Sequence, residues 1–182
     1  MEAARAPWSL APAVPGDLEE VMRLERAGFP PGIVEEAPVF RQRLEAFANG
    51  FFLLRQGPRT VGYACTEIWK DRQDYLTERF RLGHPLTGWH DPAGDECYLA
   101  SMTVEPAARR SGAGRFLFRE TLLAMRSAFP ALRRGILLVN EGWTGACRIY
   151  RDEGFVVACR MPGFFRPEDF PPQAGLVMEK EF

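Results

Sequence analysis

Apolar positions along the chain recur with two different periods, and the changes of period divide it into elements. Trp8 to Ala13 reads as a short strand whose neighbouring prolines, Pro7, Pro12 and Pro15, suit the edge of a sheet. Asp17 caps a helix with Glu19 and Glu20 in its first turn. Leu18, Val21, Met22 and Leu24 form the buried stripe of that helix, and Gly28 ends it. A second helix is predicted over Pro38 to Ala48, stopped by Asn49-Gly50, with Val39, Phe40, Leu44 and Phe47 on its apolar face.

Phe51–Leu54 and Thr60–Trp69 form a hairpin around Gln56-Gly57-Pro58-Arg59. The stretch Lys70 to Gly94 is longer than a simple hairpin loop. Within it Gln73 to Leu82 suits a helical turn or two, and Gly83-His84-Pro85 and His90 to Gly94 break regular structure. Asp95 to Phe129 carries a strand, a turn at Glu105-Pro106, a basic glycine loop and a long amphipathic helix. Gly135 to Val139 is continuously apolar and predicts a buried strand. A helix over Thr144–Glu153, a strand over Phe155–Arg160, a proline-rich loop over Met161–Pro172 and a closing strand over Gly175–Glu181 complete the chain. This order predicts one α/β (α+β) domain, a mixed sheet with helices on both faces.

Composition narrows the chemistry. The 182 residues suit a single domain with a full core. A net charge of −1 provides no global field for nucleic acid or an anionic membrane. No apolar run approaches the roughly 18 residues of a membrane span, and no signal peptide is expected, so a cytoplasmic protein is expected. Cys65, Cys97, Cys147 and Cys159 show neither C-x-x-C spacing nor a nearby His, so no metal site and reduced cysteines are expected.

The basic loop is Arg109-Arg110-Ser111-Gly112-Ala113-Gly114-Arg115. Glycines there let the backbone approach a ligand closely and adopt positive φ. The helix that follows presents unpaired amides and the positive end of its dipole at the same place. Together with the arginines this is a site for a polyanion, best a pyrophosphate. A P-loop is excluded because Arg115-Phe116, not Lys-Ser/Thr, follows Gly114. A dinucleotide fingerprint is excluded because Leu117 stands where a small residue is needed.

Arg109-x-x-Gly112-x-Gly114 after a strand resembles the acetyl-coenzyme A loop of the GCN5-related N-acetyltransferase (GNAT) superfamily. Ile149-Tyr150-Arg151-Asp152-Gly154-Phe155, with Glu153 between, resembles the same superfamily's helix–strand junction. Glu25 to Pro30, Phe51 to Leu54, Val61-Gly62-Tyr63 and Leu76-Thr77 with the His84 loop look like the arylalkylamine (serotonin) N-acetyltransferase branch. The resemblance implies a sheet of about seven strands that splays between Tyr98–Val104 and Ile136–Asn140, the fourth and fifth.

It further implies acetyl-CoA as co-substrate. Met102, Thr103 and Val104 would bond the pantetheine arm through the backbone, and Arg109, Arg110, Ser111, Gly112, Ala113, Gly114 and Arg115 would surround the pyrophosphate. Asn140 would wall the slot, whereas Trp143 stands where many members have Asn. Tyr150 is the candidate general acid, since a phenol is protonated at neutral pH and can supply the leaving thiolate. The branch's histidine pair is absent, its places being Tyr98 and Ala100. Glu96 and Glu67 are therefore the candidate bases, directly or through water, with Tyr98 as another terminus. Phe29, Pro30, Tyr98 and Trp69 are candidate substrate contacts, and Glu25, Glu35 and Glu36 suit a cation.

The expected reaction is transfer of acetyl to a primary amine, a small aromatic amine or a polyamine, by direct attack in a ternary complex. The protein would work as a monomer or homodimer. Two other readings stay open on the sequence: a non-catalytic acyl-CoA-binding or sensing domain, and an acetyltransferase acting on protein N-termini or lysines.

Overall fold

A computed structural model describes residues 8–70, 75 and 77–182. Its strands are β1 (Ser9–Pro12), β2 (Phe51–Gln56), β3 (Arg59–Trp69), β4 (Glu96–Val104), β5 (Arg134–Asn140), β6 (Val156–Phe165) and β7 (Gln173–Glu181). The α-helices are α1 (Leu18–Gly28), α2 (Ala37–Ala46), α3 (Thr77–Phe80), α4 (Ala113–Ala128) and α5 (Thr144–Asp152). The strands form one seven-stranded sheet in the order β1-β2-β3-β4-β5-β7-β6. Among the described strands only β4 and β5 run parallel, joined by α4 as the crossover helix. The proline-flanked β1 lies at an edge, where a missing amide N–H costs no ladder bond.

Both faces of the sheet are covered, which is why β5 is apolar without alternation. Leu137 and Val139 pack with Leu117 and Phe118 of α4 and with Cys147 and Tyr150 of α5. Ile136 faces the other way, into a cluster with Trp69, Phe80 and Tyr98. On that same side Val21, Met22 and Leu24 of α1 and Phe40 and Leu44 of α2 meet Phe51, Leu53 and Tyr63.

One expectation changes and another is narrowed. The proline-rich loop begins later than the local pattern indicates, because β6 continues to Phe165 and bonds to β7 through a register shift between Met161 and Phe165. Pro162 and Gly163 are accommodated in that irregularity, where a ladder donor is not required. In the long insertion the helical segment is the single turn α3; Gln73, Asp74 and Leu76 lie outside the described residues. No described helix is long and apolar enough to cross a membrane.

Two departures in β4 create the opening in the sheet. Its pairing with β5 runs from Glu96↔Arg134 to Leu99↔Leu137 and then stops. Against β3, Cys65 pairs with Ser101 and Thr66 with Leu99, so Ala100 is the extra residue of a β-bulge. The bulge reverses the alternation of side chains. Leu99 faces the α4 side before it, and Met102 and Val104 face that side after it. Ser101 consequently points toward α1, within reach of Tyr63.

Candidate active site

A cavity of about 900 Å³ runs through this opening, lined from both faces of the sheet. At one end it meets the loop before α4. There Arg110 and Gly112 adopt the left-handed region, with φ of 61° and 92°. The amides of Gly112, Gly114 and Arg115 have no protein acceptor among the described residues, and they surround the helix N-terminus.

The three arginines of the loop differ in role. Arg109 donates to the Val104 carbonyl at 2.9 Å and to the Gly28 carbonyl at 3.2 Å, bracing β4 against the end of α1. Arg115 pairs with Asp152 and lies 3.8 Å from Glu153, bracing α4 against α5. Arg110 has no partner among the described residues. Arg148, which the sequence reading did not single out, also lines this end.

Tyr150 of α5 lines the cavity, its ring 4.8 Å from Phe118. Its phenol forms no hydrogen bond among the described residues, and burial pushes its pKa up. It is therefore a protonated acid throughout the neutral range. Met102, Thr103 and Val104 line the cavity on the strand segment released from β5.

The other expected site residues divide. Phe29 and Tyr98 line the cavity; Pro30 and Trp69 do not. Trp69 is fully buried behind Tyr98, stacked at 4.0 Å between ring centroids. Asn140 is also fully buried outside the lining. Its amide donates to Gln173 and accepts from the Gly142 N–H at 2.8 Å, so it shapes the turn from β5 into α5.

Glu96 and Glu67 likewise lie outside the lining, each surrounded by partners. Glu96 is ion-paired with Arg134 and, at 3.5 Å, with Arg79 at the start of β4. Glu67 accepts from the Trp69 indole at 2.8 Å and meets His84 Nε2 at 2.7 Å. Burial alone would lower the His84 pKa, but the bond to Glu67 and its charge outweigh this and raise it. These groups fasten the long insertion to β3.

Two carboxylates line the cavity instead, Glu35 and Glu25 of α1, the latter only 1% exposed. Glu25 accepts a hydrogen bond from the Tyr63 phenol and another, at 2.8 Å, from the Glu35 amide. Tyr63 Oη lies 2.8 Å from Ser101 Oγ, and Ser101 lines the cavity. Burial pushes the Glu25 carboxyl up to about 7, against the lowering effect of both hydrogen bonds. Its position carried a signal in the sequence: residue 25 follows Val21 and Met22 by four and three places, inside the buried stripe of α1. No cluster among the described residues suits a metal.

A sheet parted between two parallel strands, beside a helix N-terminus bare of protein acceptors, is the framework of an acyltransferase. The family model for the acetyltransferase (GNAT) family matches residues 18–155, and the chain belongs to that family. No curated protein matches it significantly. Solved structures do match. The loading GNATL domain of CurA from Lyngbya majuscula is 14% identical with a TM-score of 0.80, over 96% of this chain and 97% of that one. The GphF GNAT-like decarboxylase, solved with isobutyryl-CoA, is 20% identical with a TM-score of 0.78, over 95% and 98%. Arabidopsis thaliana Naa50, solved with a bisubstrate analogue, is 18% identical with a TM-score of 0.71, over 97% and 100%. At these identities the likeness speaks for the fold.

Proposed function

We propose that the protein transfers acetyl from acetyl-CoA to the primary amine of a small acceptor, by direct attack within a ternary complex. The observation that carries this reading is the placement of two proton-transfer groups on one cavity from opposite faces of the sheet, Glu25 from α1 and Tyr150 from α5. The pyrophosphate is held by the bare amides of Gly112, Gly114 and Arg115, with Arg110 and Arg148 adding charge. The pantetheine arm bonds the backbone of β4 beyond Leu99, where pairing with β5 has ended.

An ammonium must lose a proton before it attacks. Ser101, Tyr63 and Glu25 form a hydrogen-bonded path for that proton, ending on a carboxylate whose pKa of about 7 suits the task. The amine nitrogen then attacks the thioester carbon. The C–S bond breaks as the tetrahedral intermediate collapses, Tyr150 protonates the departing thiolate, and the surplus proton of the acylated nitrogen returns to the Tyr150 phenolate, leaving the neutral amide.

A small acceptor is favoured by a bridge between two loops. The Pro31 carbonyl accepts the Glu168 amide at 3.0 Å, next to Phe29, Ile33 and Phe165 on the cavity lining. A slender amine passes beneath such a bridge more readily than a side chain on a folded protein. The likeness of Glu25–Pro30 to the arylalkylamine branch agrees with this. Decarboxylation, the activity in the name of one neighbour, is disfavoured by charge. An acyl carboxylate would approach Glu25, while the lining arginines, Arg109, Arg110, Arg115 and Arg148, cluster on the loop before α4, on the first turn of α4 and on α5.

The test is thiol release from acetyl-CoA with a panel of amines and peptides, repeated with Tyr150→Phe. The expected result is turnover with small amines and a loss of about 10²-fold in kcat in the variant, with coenzyme affinity unchanged. Tight coenzyme binding with no turnover on any acceptor would replace this reading with a sensing domain.

A further inference from the structure

A buried ion pair stands directly behind Glu25. Arg43 of α2 donates to Glu35 Oε1 at 2.8 Å and to Glu35 Oε2 at 3.1 Å, a two-pronged contact. Both side chains are almost wholly buried, at 3% and 4% exposure. The Gly83 amide adds a bond to Glu35 at 2.6 Å, reaching in from the long insertion. The backbone N–H of the same Glu35 holds Glu25 Oε1 at 2.8 Å. One residue therefore binds the arginine with its side chain and the cavity carboxylate with its main chain.

Two carboxylates line this half of the cavity, Glu25 and Glu35. Glu35 is neutralised by Arg43, whereas the hydrogen-bond partners of Glu25 are the uncharged Tyr63 hydroxyl and Glu35 amide. The geometry points to Arg43 and Glu35 as positioning residues for the proposed base: the pair anchors the loop between α1 and α2 so that its amide grips Glu25, and leaves Glu25 as the uncompensated acid facing the acceptor. This rests on the acetyl-transfer reading only in giving Glu25 its task.

Buried pairs are poor stabilisers, since an apolar pair of similar volume often serves as well. What this pair does control is the charge that Glu25 senses. The groups facing Glu25 are Tyr63 and Cys65 from β3, Ser101 from β4, Glu35 from the loop and Arg43 from α2. Of these, Glu35 opposes ionisation of Glu25 and Arg43 favours it. Removing either member of the pair unbalances the other.

The experiment is a ¹³C NMR titration of the Glu25 side-chain carboxyl in the free protein, beside the pH profile of kcat/KM. Glu35→Gln keeps an acceptor for Arg43 and removes the opposing charge, so the titration moves down by about one pH unit. Arg43→Met leaves Glu35 unbalanced, so it moves up by about the same amount. Arg43→Lys retains the charge and restores the midpoint to near that of the parent protein. Should Arg43→Met fail to fold, Glu35→Gln and Arg43→Lys carry the test. A structural role alone would lower the melting temperature and leave the Glu25 midpoint in place. That result, or movement of both single variants in the same direction, overturns the inference. Expected shifts in the titration without any acetyl transfer would uphold the pair and remove the proposed reaction.

Discussion

Calorimetry of Gly112→Val is expected to show no coenzyme A binding at concentrations that saturate the parent protein. The reason is the backbone rather than lack of room. Gly112 has φ of 92°, and a Cβ there would meet nothing closer than Trp8 Cη2 at 3.6 Å. A β-branched residue at that φ costs on the order of 1–3 kcal/mol, which is relieved if the loop rotates out of the left-handed region. Rotation takes the Gly112 amide, and with it the entry to α4, away from the phosphate position. Gly112→Ala should retain weak binding, since one methyl group adds less strain than two branches. Micromolar affinity in the valine variant would remove this loop as the coenzyme anchor.

Glu25→Gln is expected to lower kcat/KM by about 10²- to 10⁴-fold at neutral pH, the range for loss of a general base. The parent profile should fall on the acid side with a midpoint near the Glu25 value of about 7, and the variant should lack that limb. Stability should respond in the opposite sense. A carboxyl whose pKa is raised in the folded state holds its proton there more tightly than in the unfolded chain. The folded protein is therefore favoured at low pH and loses up to about 3 kcal/mol as pH rises from roughly 4 to past 7. Glu25→Gln should abolish that loss, melting above the parent at pH 8 and together with it near pH 4. A variant less stable than the parent at pH 8, with an unchanged rate profile, would show that Glu25 is a structural acid and nothing more.

The two predictions differ in how far the sequence anticipates them. The loop before α4 is local: strand, turn, glycines, arginines and helix succeed one another within one stretch, so their meeting follows from chain order. Glu25 is different. Its charge reads as a solvated side chain, and only its phase in the α1 stripe marks it as buried. Its partners come from β3, β4 and the loop after α1, and that convergence exists only once the sheet has formed. Glu67 and Glu96 are the converse. Their places on strands near the opening are visible in the sequence, but the arginines and the histidine that surround them come from α2, β5 and the long insertion. The extension of β6 through Phe165 was hidden for a similar reason, because Pro162 and Gly163 mimic a loop unless the partner strand is known.

The bulge at Ala100 has a consequence for anyone remodelling this scaffold. Were Ala100 kept but paired regularly with β3, β4 would run on without a break and every later side chain would turn to the opposite face. Ser101 and Thr103 would then be exchanged with Met102 and Val104, an oily surface in place of a hydroxylated one. Grafts of this strand onto a related barrel or sheet that include Ala100 should leave it outside the ladder, because its unpaired position aims the chemistry that follows.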